Sequence, residues 1–244
     1  MLQQINTEPA PLQTTPYKII THQHGRYKLI VGDRFIHNGY PYKINTTGLS
    51  GVRLDILEPI AAELDVMQSM YSHVFFARFD LRLPVGTPVE ISNEWMRQLF
   101  KKLRERLKSK NKRPPNVTTP INNFAFGWVR EKETAKQDHY HCWIALPHRQ
   151  IQRLGGRTYG IGNAIMEIWC QLTGGDDSLV ELLGKDERFP THYIIERDKA
   201  ESLEGIFYWV SYLAKVRGKY QTGKGDRVHS TSQLRNKKVN DQNP

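Results

Sequence analysis

The chain has 244 residues and a formal net charge of +10, which suits one good-sized domain with extensions and a polyanionic partner. Its two cysteines exclude a disulfide framework and suit a reducing cytosol. No apolar run is long enough to span a bilayer, and no apolar signal segment opens the chain. We therefore expect a cytoplasmic protein without a membrane partner.

The first seventy residues are the least informative part of the chain. Residues 1–16 contain three prolines and many polar side chains, which predicts a flexible leader. Residues 17–70 are expected to form an N-terminal extension of short β-like pieces and a first helix, over 55–71. The pattern leaves open whether this extension contacts a polyanionic partner or packs on the main domain.

The first strong strand signal covers residues 72–83. Phe75 and Phe79 point to one face of the predicted strand, whereas Arg78 and Asp80 point to the other. Asp80 and Arg78 are therefore candidates to support a site on that second face. A surface pair of these two residues is the alternative interpretation.

Residues 121–131 and 137–146 predict two antiparallel strands joined by a polar loop. Histidines two apart on a strand point to the same face. One register sorts the apolar residues onto one face and gathers a carboxylate and two imidazoles on the other. A slip of one residue would bury the carboxylate against the core, so the apolar pattern selects this register. It pairs Glu131 with His139, Val129 with His141, and Gly127 with Trp143.

Glu131, His139 and His141 are the predicted metal ligands. Two imidazoles and a carboxylate accept Mg²⁺ or Mn²⁺ and leave coordination positions open for phosphate oxygens. The same ligand types also fit Zn²⁺. Glu133 has the same parity but falls in the predicted loop, so it ranks second. The alternative is two solvent-facing strand histidines beside an unrelated glutamate.

Two amphipathic helices flank this hairpin, one over 92–109 and one over 157–172. The first ends before Pro114 and Pro115, and the second ends at Gly174 and Gly175. Together with a short strand at 192–195, they predict an α+β fold with a central antiparallel sheet. We expect the helices to pack on one face of the sheet and the metal site to lie on the other.

A third helix is predicted over residues 203–216. Tyr208, Tyr212 and Lys215 fall at i, i+4 and i+7 on one side of it, and Lys219 continues the row. A tyrosine is a poor nucleophile at neutral pH because its pKa is near 10, but a nearby ammonium favours its phenolate. Tyrosines that pack at the sheet edge with wet hydroxyls are the alternative. The polar, basic composition of residues 221–244 predicts a mobile tail.

Three segments, in this order, resemble the HUH endonucleases, in particular the replication initiators of inoviruses (filamentous phages) and their prophage-encoded relatives. Residues 75–81 resemble the family's first strand, residues 128–141 its carboxylate-plus-HUH hairpin, and residues 211–215 its tyrosine motif. Each motif alone is weak, and the ordered set is fairly specific. We therefore assign residues 71–220 to an HUH endonuclease domain with an HUH/RRM-like sheet.

The resemblance implies metal-dependent nicking and rejoining of single-stranded DNA at the replication origin of a phage or prophage-like element in a bacterial host cell. The metal would polarise the scissile phosphate. Tyr212 would attack it, with Lys215 nearby, to form a 5′-phosphotyrosyl link and free a 3′-hydroxyl that primes rolling-circle synthesis. Tyr208 is either a second nucleophile or a DNA contact, because many relatives act with one tyrosine. The expected partner is single-stranded origin DNA, and the host replication helicase and polymerase are further candidates.

One aromatic residue on the metal face and the basic residues after the tyrosine motif are the predicted DNA contacts: Trp143, Arg217, Lys219, Lys224 and Arg227. A non-catalytic DNA-binding relative that regulates replication or transcription is the alternative function. A structural metal site without strand chemistry is a third interpretation, and it leaves the tyrosine–lysine row unexplained.

Overall fold

A computed structural model of the chain describes residues 18–21, 27–46, 51–132, 137–182, 190–219 and 226–235. The leader at 1–16, Glu133 and Lys224 lie outside the described residues. None of the described helices combines the length and apolar character that crossing a bilayer requires. These helices are α1 (Leu54–Met70), α2 (Val89–Lys108), α3 (Gly160–Thr173) and α4 (Glu204–Ser211).

The N-terminal strands form two small sheets. The first contains β1 (Lys18–Thr21), β2 (Lys28–Val31) and β5 (Val52–Arg53), and the second contains β3 (Arg34–His37) and β4 (Tyr40–Lys43). In this extension Phe35 and Tyr42 pack against Phe207 of α4, with ring centroids 5.3 and 4.5 Å apart. The extension therefore shares a core with the rest of the fold.

The main sheet has six strands, all paired antiparallel: β6 (His73–Arg82), β7 (Ala125–Glu131), β8 (His139–Pro147), β9 (Val180–Leu182), β10 (Tyr193–Glu196) and β11 (His229–Thr231). Their order is β10-β6-β8-β7-β11, and β9 pairs with β6 beyond the end of β10. The two long central strands, β6 and β8, form the rigid centre of the fold.

Helices cover both faces of the main sheet, so the prediction of helices on one face only was wrong. The helices α2 and α3 pack on a first core that includes Phe79 and Ile144. The helices α1 and α4 pack on a second core that includes Phe76 and Trp143. The second face is apolar over most of its length, and burial stabilises such surface by about 25 cal/mol per Å². The end of this face that carries the two histidines is polar.

The tyrosine segment is helical for less of its length than predicted. The helix α4 ends at Ser211, and the backbone N–H groups of Leu213, Ala214 and Lys215 each donate to the carbonyl oxygen three residues back, as in a 3₁₀ turn. This turn contacts β5, since Arg53 N donates to the carbonyl oxygen of Ala214 at 2.8 Å and Val52 bridges to Lys215. The chain therefore turns away from the helix axis after Tyr212.

Residues 226–235, part of the segment predicted to be a mobile tail, contain a strand and contact the rest of the fold. The strand β11 pairs with β7, and Arg130 N donates to the carbonyl oxygen of Val228 at 2.7 Å. Beyond the strand, Ser232 Oγ donates to the Glu63 carboxylate of α1 at 2.7 Å. The edge of β7 thus has a partner strand that the sequence pattern did not predict.

Candidate metal centre and active site

The hairpin of β7 and β8 has the predicted register. Glu131 lies opposite His139, and Val129 lies opposite His141. The ligand atoms of Glu131, His139 and His141 all lie within 4.8 Å of one another. The predicted convergence of one carboxylate and two imidazoles is therefore confirmed, and the group could hold a metal ion.

Asp80 orients one of these imidazoles. It lies opposite His141 in the pairing of β6 with β8, and its Oδ1 is 2.8 Å from His141 Nδ1. A proton on Nδ1 is donated to Asp80 and leaves Nε2 as the ligand atom, 3.8 Å from Glu131 Oε2. Burial alone would raise the pKa of Asp80, but the hydrogen bond with His141 and the nearby Arg78 hold it below its usual value.

The cluster is only partly open to solvent. Glu131 and His141 are buried, and His139 is half-buried at the rim. Burial, together with the neighbouring His141, lowers the pKa of His139, which favours the neutral imidazole that a metal ion requires. The alternative of two solvent-facing histidines beside an unrelated glutamate does not describe this arrangement.

Tyr212 and Lys215 lie beside the cluster. The ring centroids of Tyr212 and His141 are 6.0 Å apart. Lys215 Nζ lies 4.5 Å from the centroid of the Tyr212 ring, and the lysine side chain is buried. The 3₁₀ turn explains this contact, because residues i and i+3 of such a turn lie directly above one another.

Tyr208 and Arg78 occupy other surroundings. The ring of Tyr208 lies against the N-terminal extension, with Lys43 Nζ 6.0 Å from its centroid. Arg78 is buried, donates to the carbonyl oxygen of Trp209 at 3.0 Å and lies over the Trp209 ring. The interpretation of Arg78 and Asp80 as a surface pair was therefore wrong.

Two of the predicted DNA contacts are not available to a ligand. Trp143 has no exposed surface and stacks on Phe76 within the second core, because α1 and α4 cover this part of the face. Lys219 is also buried, and its Nζ lies 3.0 Å from Glu131 Oε2. Arg217 and Arg227 are exposed, which leaves them as candidate contacts.

The ion pair of Lys219 with Glu131 is the part of the site that sequence reasoning missed. The regular helical row of residues 208, 212, 215 and 219 predicted that Lys219 points outward. The chain instead leaves the helix after Tyr212 and reaches a left-handed residue, Gly218, with φ of 75°. Lys132 N donates to the carbonyl oxygen of Gly218 at 2.9 Å, which brings Lys219 to the end of β7. Gly218 was the one local signal for this turn.

The fold and the cluster together define an α+β protein with a candidate metal centre beside a tyrosine. The family model of the YagK/YfjJ C-terminal domain matches residues 36–230, which is more than half of the chain. The chain therefore belongs to the YagK/YfjJ C-terminal domain family, a family of prophage-associated proteins. No curated protein and no solved structure matches this chain.

Proposed function

We propose that the protein is an HUH-type endonuclease that nicks and rejoins single-stranded DNA and so initiates rolling-circle replication of a prophage-like element. The observation that carries this proposal is the position of Tyr212, whose ring centroid lies 6.0 Å from that of His141 in a convergent Glu/His/His cluster. Membership in a prophage-associated family supports the expected genetic context.

The donor set of Glu131, His139 and His141 fits a divalent cation. Two neutral imidazoles and one carboxylate suit Mg²⁺ or Mn²⁺, and the carboxylate of Asp80 fixes the ring orientation of His141. A bound divalent cation would supply Lewis-acid polarisation of a phosphate oxygen. Nucleophilic attack and charge stabilisation are assigned to side chains of this protein.

Tyr212 is the proposed nucleophile. Its phenolic oxygen forms a bond to phosphorus, its proton passes to solvent water, and the bond from phosphorus to the 3′ oxygen breaks. The departing oxygen takes up a proton and becomes a free 3′-hydroxyl, while the 5′ side remains attached to Tyr212. Attack of a 3′-hydroxyl on the phosphotyrosyl bond reverses every bond change and rejoins the strand.

Lys215 is assigned the role of stabilising negative charge that develops on this nucleophile during attack. A buried ammonium close to the Tyr212 ring stabilises negative charge as it develops on the phenolic oxygen, since the low local dielectric strengthens the interaction. Such activation matters because an ordinary tyrosine is almost fully protonated at neutral pH.

The proposal is tested with labelled single-stranded oligonucleotides that tile the DNA of the element encoding the protein. We expect a covalent adduct with one or more of them in the presence of Mn²⁺ or Mg²⁺, and none in excess EDTA. Mass spectrometry of the digested adduct should find the nucleotide on Tyr212. Tyr212→Phe and His141→Ala should both abolish the adduct.

Tyr208→Phe is the matched control, because it removes the same hydroxyl one helical turn away. An adduct that survives Tyr212→Phe but is lost in Tyr208→Phe would show that the wrong tyrosine has been assigned. Cleavage by the double variant Tyr208→Phe/Tyr212→Phe would rule out the mechanism. DNA binding with no adduct on any tiled strand would favour the non-catalytic relative.

A further inference from the structure

A second surface with the character of a ligand site lies at the far end of β8. The loop of residues 148–159 follows β8 and leads into α3. The two histidines of the metal cluster begin β8, and a nine-residue strand spans about 26 Å at 3.3 Å per residue. This surface is therefore separate from the proposed active site.

The loop has a stiff, closed shape. Gly155 and Gly160 both have positive φ, of 88° and 78°, and they form an isolated β-bridge. A Cβ atom on Gly155 would lie 2.3 Å from the carbonyl oxygen of Tyr159, so the close approach requires glycine. Gly156 N also donates to that oxygen at 3.0 Å. The backbone thus fixes Tyr159 at the start of α3, where 51% of the residue is exposed.

Two cavities lie beside this tyrosine. One has a volume of about 560 Å³ and the other about 390 Å³, and both are lined by Arg153 and Tyr159. Volumes of roughly 300–1,000 Å³ are typical of sites for nucleotide-sized ligands. The larger cavity has an aromatic wall formed by His192, which stacks on Phe75 with ring centroids 4.9 Å apart.

The free charge on this surface is positive. Arg149 and Arg153 are exposed, and in the part of the chain that the structure describes neither guanidinium has an acidic partner. Among the described residues, two nearby carboxylates are ion-paired. Asp177 pairs with Arg157 at 2.5 Å, and Glu181 pairs with Arg82 at 2.8 Å.

We propose that Arg149, Arg153 and Tyr159, which we call the Tyr159 surface, bind single-stranded DNA. An exposed ring beside two cavities offers a stacking platform for bases, and the guanidinium groups of Arg149 and Arg153 offer contacts to phosphates. Stacking on one ring does not depend on base identity, so the surface holds a strand without reading its sequence. This binding requires neither a metal ion nor Tyr212.

Binding is measured by fluorescence anisotropy with a labelled oligothymidylate of about 20 nucleotides in EDTA, a length that exceeds typical site sizes. Tyr159→Ala should weaken binding about tenfold, whereas Tyr159→Phe should retain it within about twofold, because only the ring is needed. Arg149→Ala and Arg153→Ala should each reduce the slope of log K against log salt by about 0.7. Arg97→Ala is the matched control, since it removes an exposed cation of α2 that pairs with Glu94.

Equal affinities of the wild type, Tyr159→Ala and the double variant Arg149→Ala/Arg153→Ala would overturn the proposal. An equal loss of affinity in Arg97→Ala would also overturn it, because the affinity would then depend only on net charge. Photo-crosslinking with iodouridine oligonucleotides provides a positional readout, and we expect the crosslinked peptide to contain Tyr159. His141→Ala should keep this binding while losing nicking, so failure here and failure of the proposed nuclease activity are distinguishable.

Discussion

Lys219 and Glu131 form a buried ion pair inside the candidate metal centre. Lys219 Nζ lies 3.0 Å from Glu131 Oε2, and the lysine side chain has no exposed surface. Glu131 ends β7, whereas Lys219 follows the tyrosine segment, so this pair joins the two parts of the proposed active site. Glu131, a candidate metal ligand, therefore has the positive partner that a buried carboxylate requires.

Removal of Lys219 should destabilise the protein in a metal-dependent way. Lys219→Met removes the cation beside the buried Glu131 carboxylate, and loss of one partner of a buried pair costs about 3–5 kcal/mol. A divalent cation bound by the cluster would restore a positive charge beside Glu131. We therefore expect a large loss in the free energy of unfolding in EDTA and a smaller loss in Mn²⁺, measured by urea denaturation.

Lys102→Met is the matched control, since it removes an exposed lysine of α2. It should change the free energy of unfolding by less than about 0.5 kcal/mol, as surface substitutions usually do. In the double variant Lys219→Met/Glu131→Gln the metal dependence should disappear. Equal losses for Lys219→Met with and without Mn²⁺ would argue against a metal at Glu131.

The register of the metal hairpin could be predicted because it follows from a short-range pattern. The alternation of apolar and polar residues through β7 and β8 allows one pairing that buries Trp128 and Ile144 on the same face, and this pairing sets Glu131 opposite His139. The support from Asp80 followed from the parity of β6 in the same way.

The second helix layer and the role of Lys219 could not be predicted from such patterns. Phe76 and Trp143 share a face with His141, so the apolar character of that face was visible, but the helices that cover it are set by long-range packing. Lys219 depends on a 3₁₀ turn of the tyrosine segment that contacts β5, and β5 lies far away in sequence. The prediction from helical periodicity continued the row of side chains past Ser211, where the helix ends.

Lys215→Met should slow formation of the covalent adduct. The substitution keeps the volume of the buried side chain but removes the ammonium 4.5 Å from the Tyr212 ring centroid. Loss of one group that stabilises developing charge typically lowers the rate about 10²–10³-fold. Single-turnover nicking assays of the wild type and Lys215→Met measure this loss.

Lys215→Arg separates charge from geometry. It retains the cation, so part of the rate should return, although the guanidinium is too large to fit the buried position without adjustment. Folding is checked by circular dichroism and by Mn²⁺ affinity, which both variants should keep. A Lys215→Met enzyme as fast as the wild type would show that the lysine supports only the local structure.

The affinity for Mn²⁺ should persist to a lower pH than ordinary histidines allow. Metal binding requires neutral imidazoles, and burial with His141 nearby lowers the pKa of His139 below its usual 6.5. The contribution of His139 is therefore fully present above its lowered pKa and is lost as the pH falls through it. Isothermal titration calorimetry from pH 8 to pH 5 should find the midpoint of this loss below 6.5, and a midpoint above 6.5 would contradict the assignment.

Gly127→Ala should destabilise the fold by disturbing Trp143. Gly127 lies opposite Trp143 in the hairpin, and a Cβ atom there would be 2.5 Å from the indole Nε1. The indole is fully buried and stacks on Phe76, so it has no open space into which it can move. Overpacking of this kind costs about 1–3 kcal/mol, which exceeds the usual gain of roughly 0.5–1 kcal/mol from replacing a strand glycine with alanine. Urea denaturation with tryptophan fluorescence measures both the stability and the environment of the ring.

Gly156→Ala is the control, since a Cβ atom there meets its nearest neighbour at an ordinary 3.6 Å. A Gly127→Ala protein as stable as the wild type would mean that Trp143 does not lie across the hairpin from this position, and the register that brings Glu131 to the histidines would lose its main packing support.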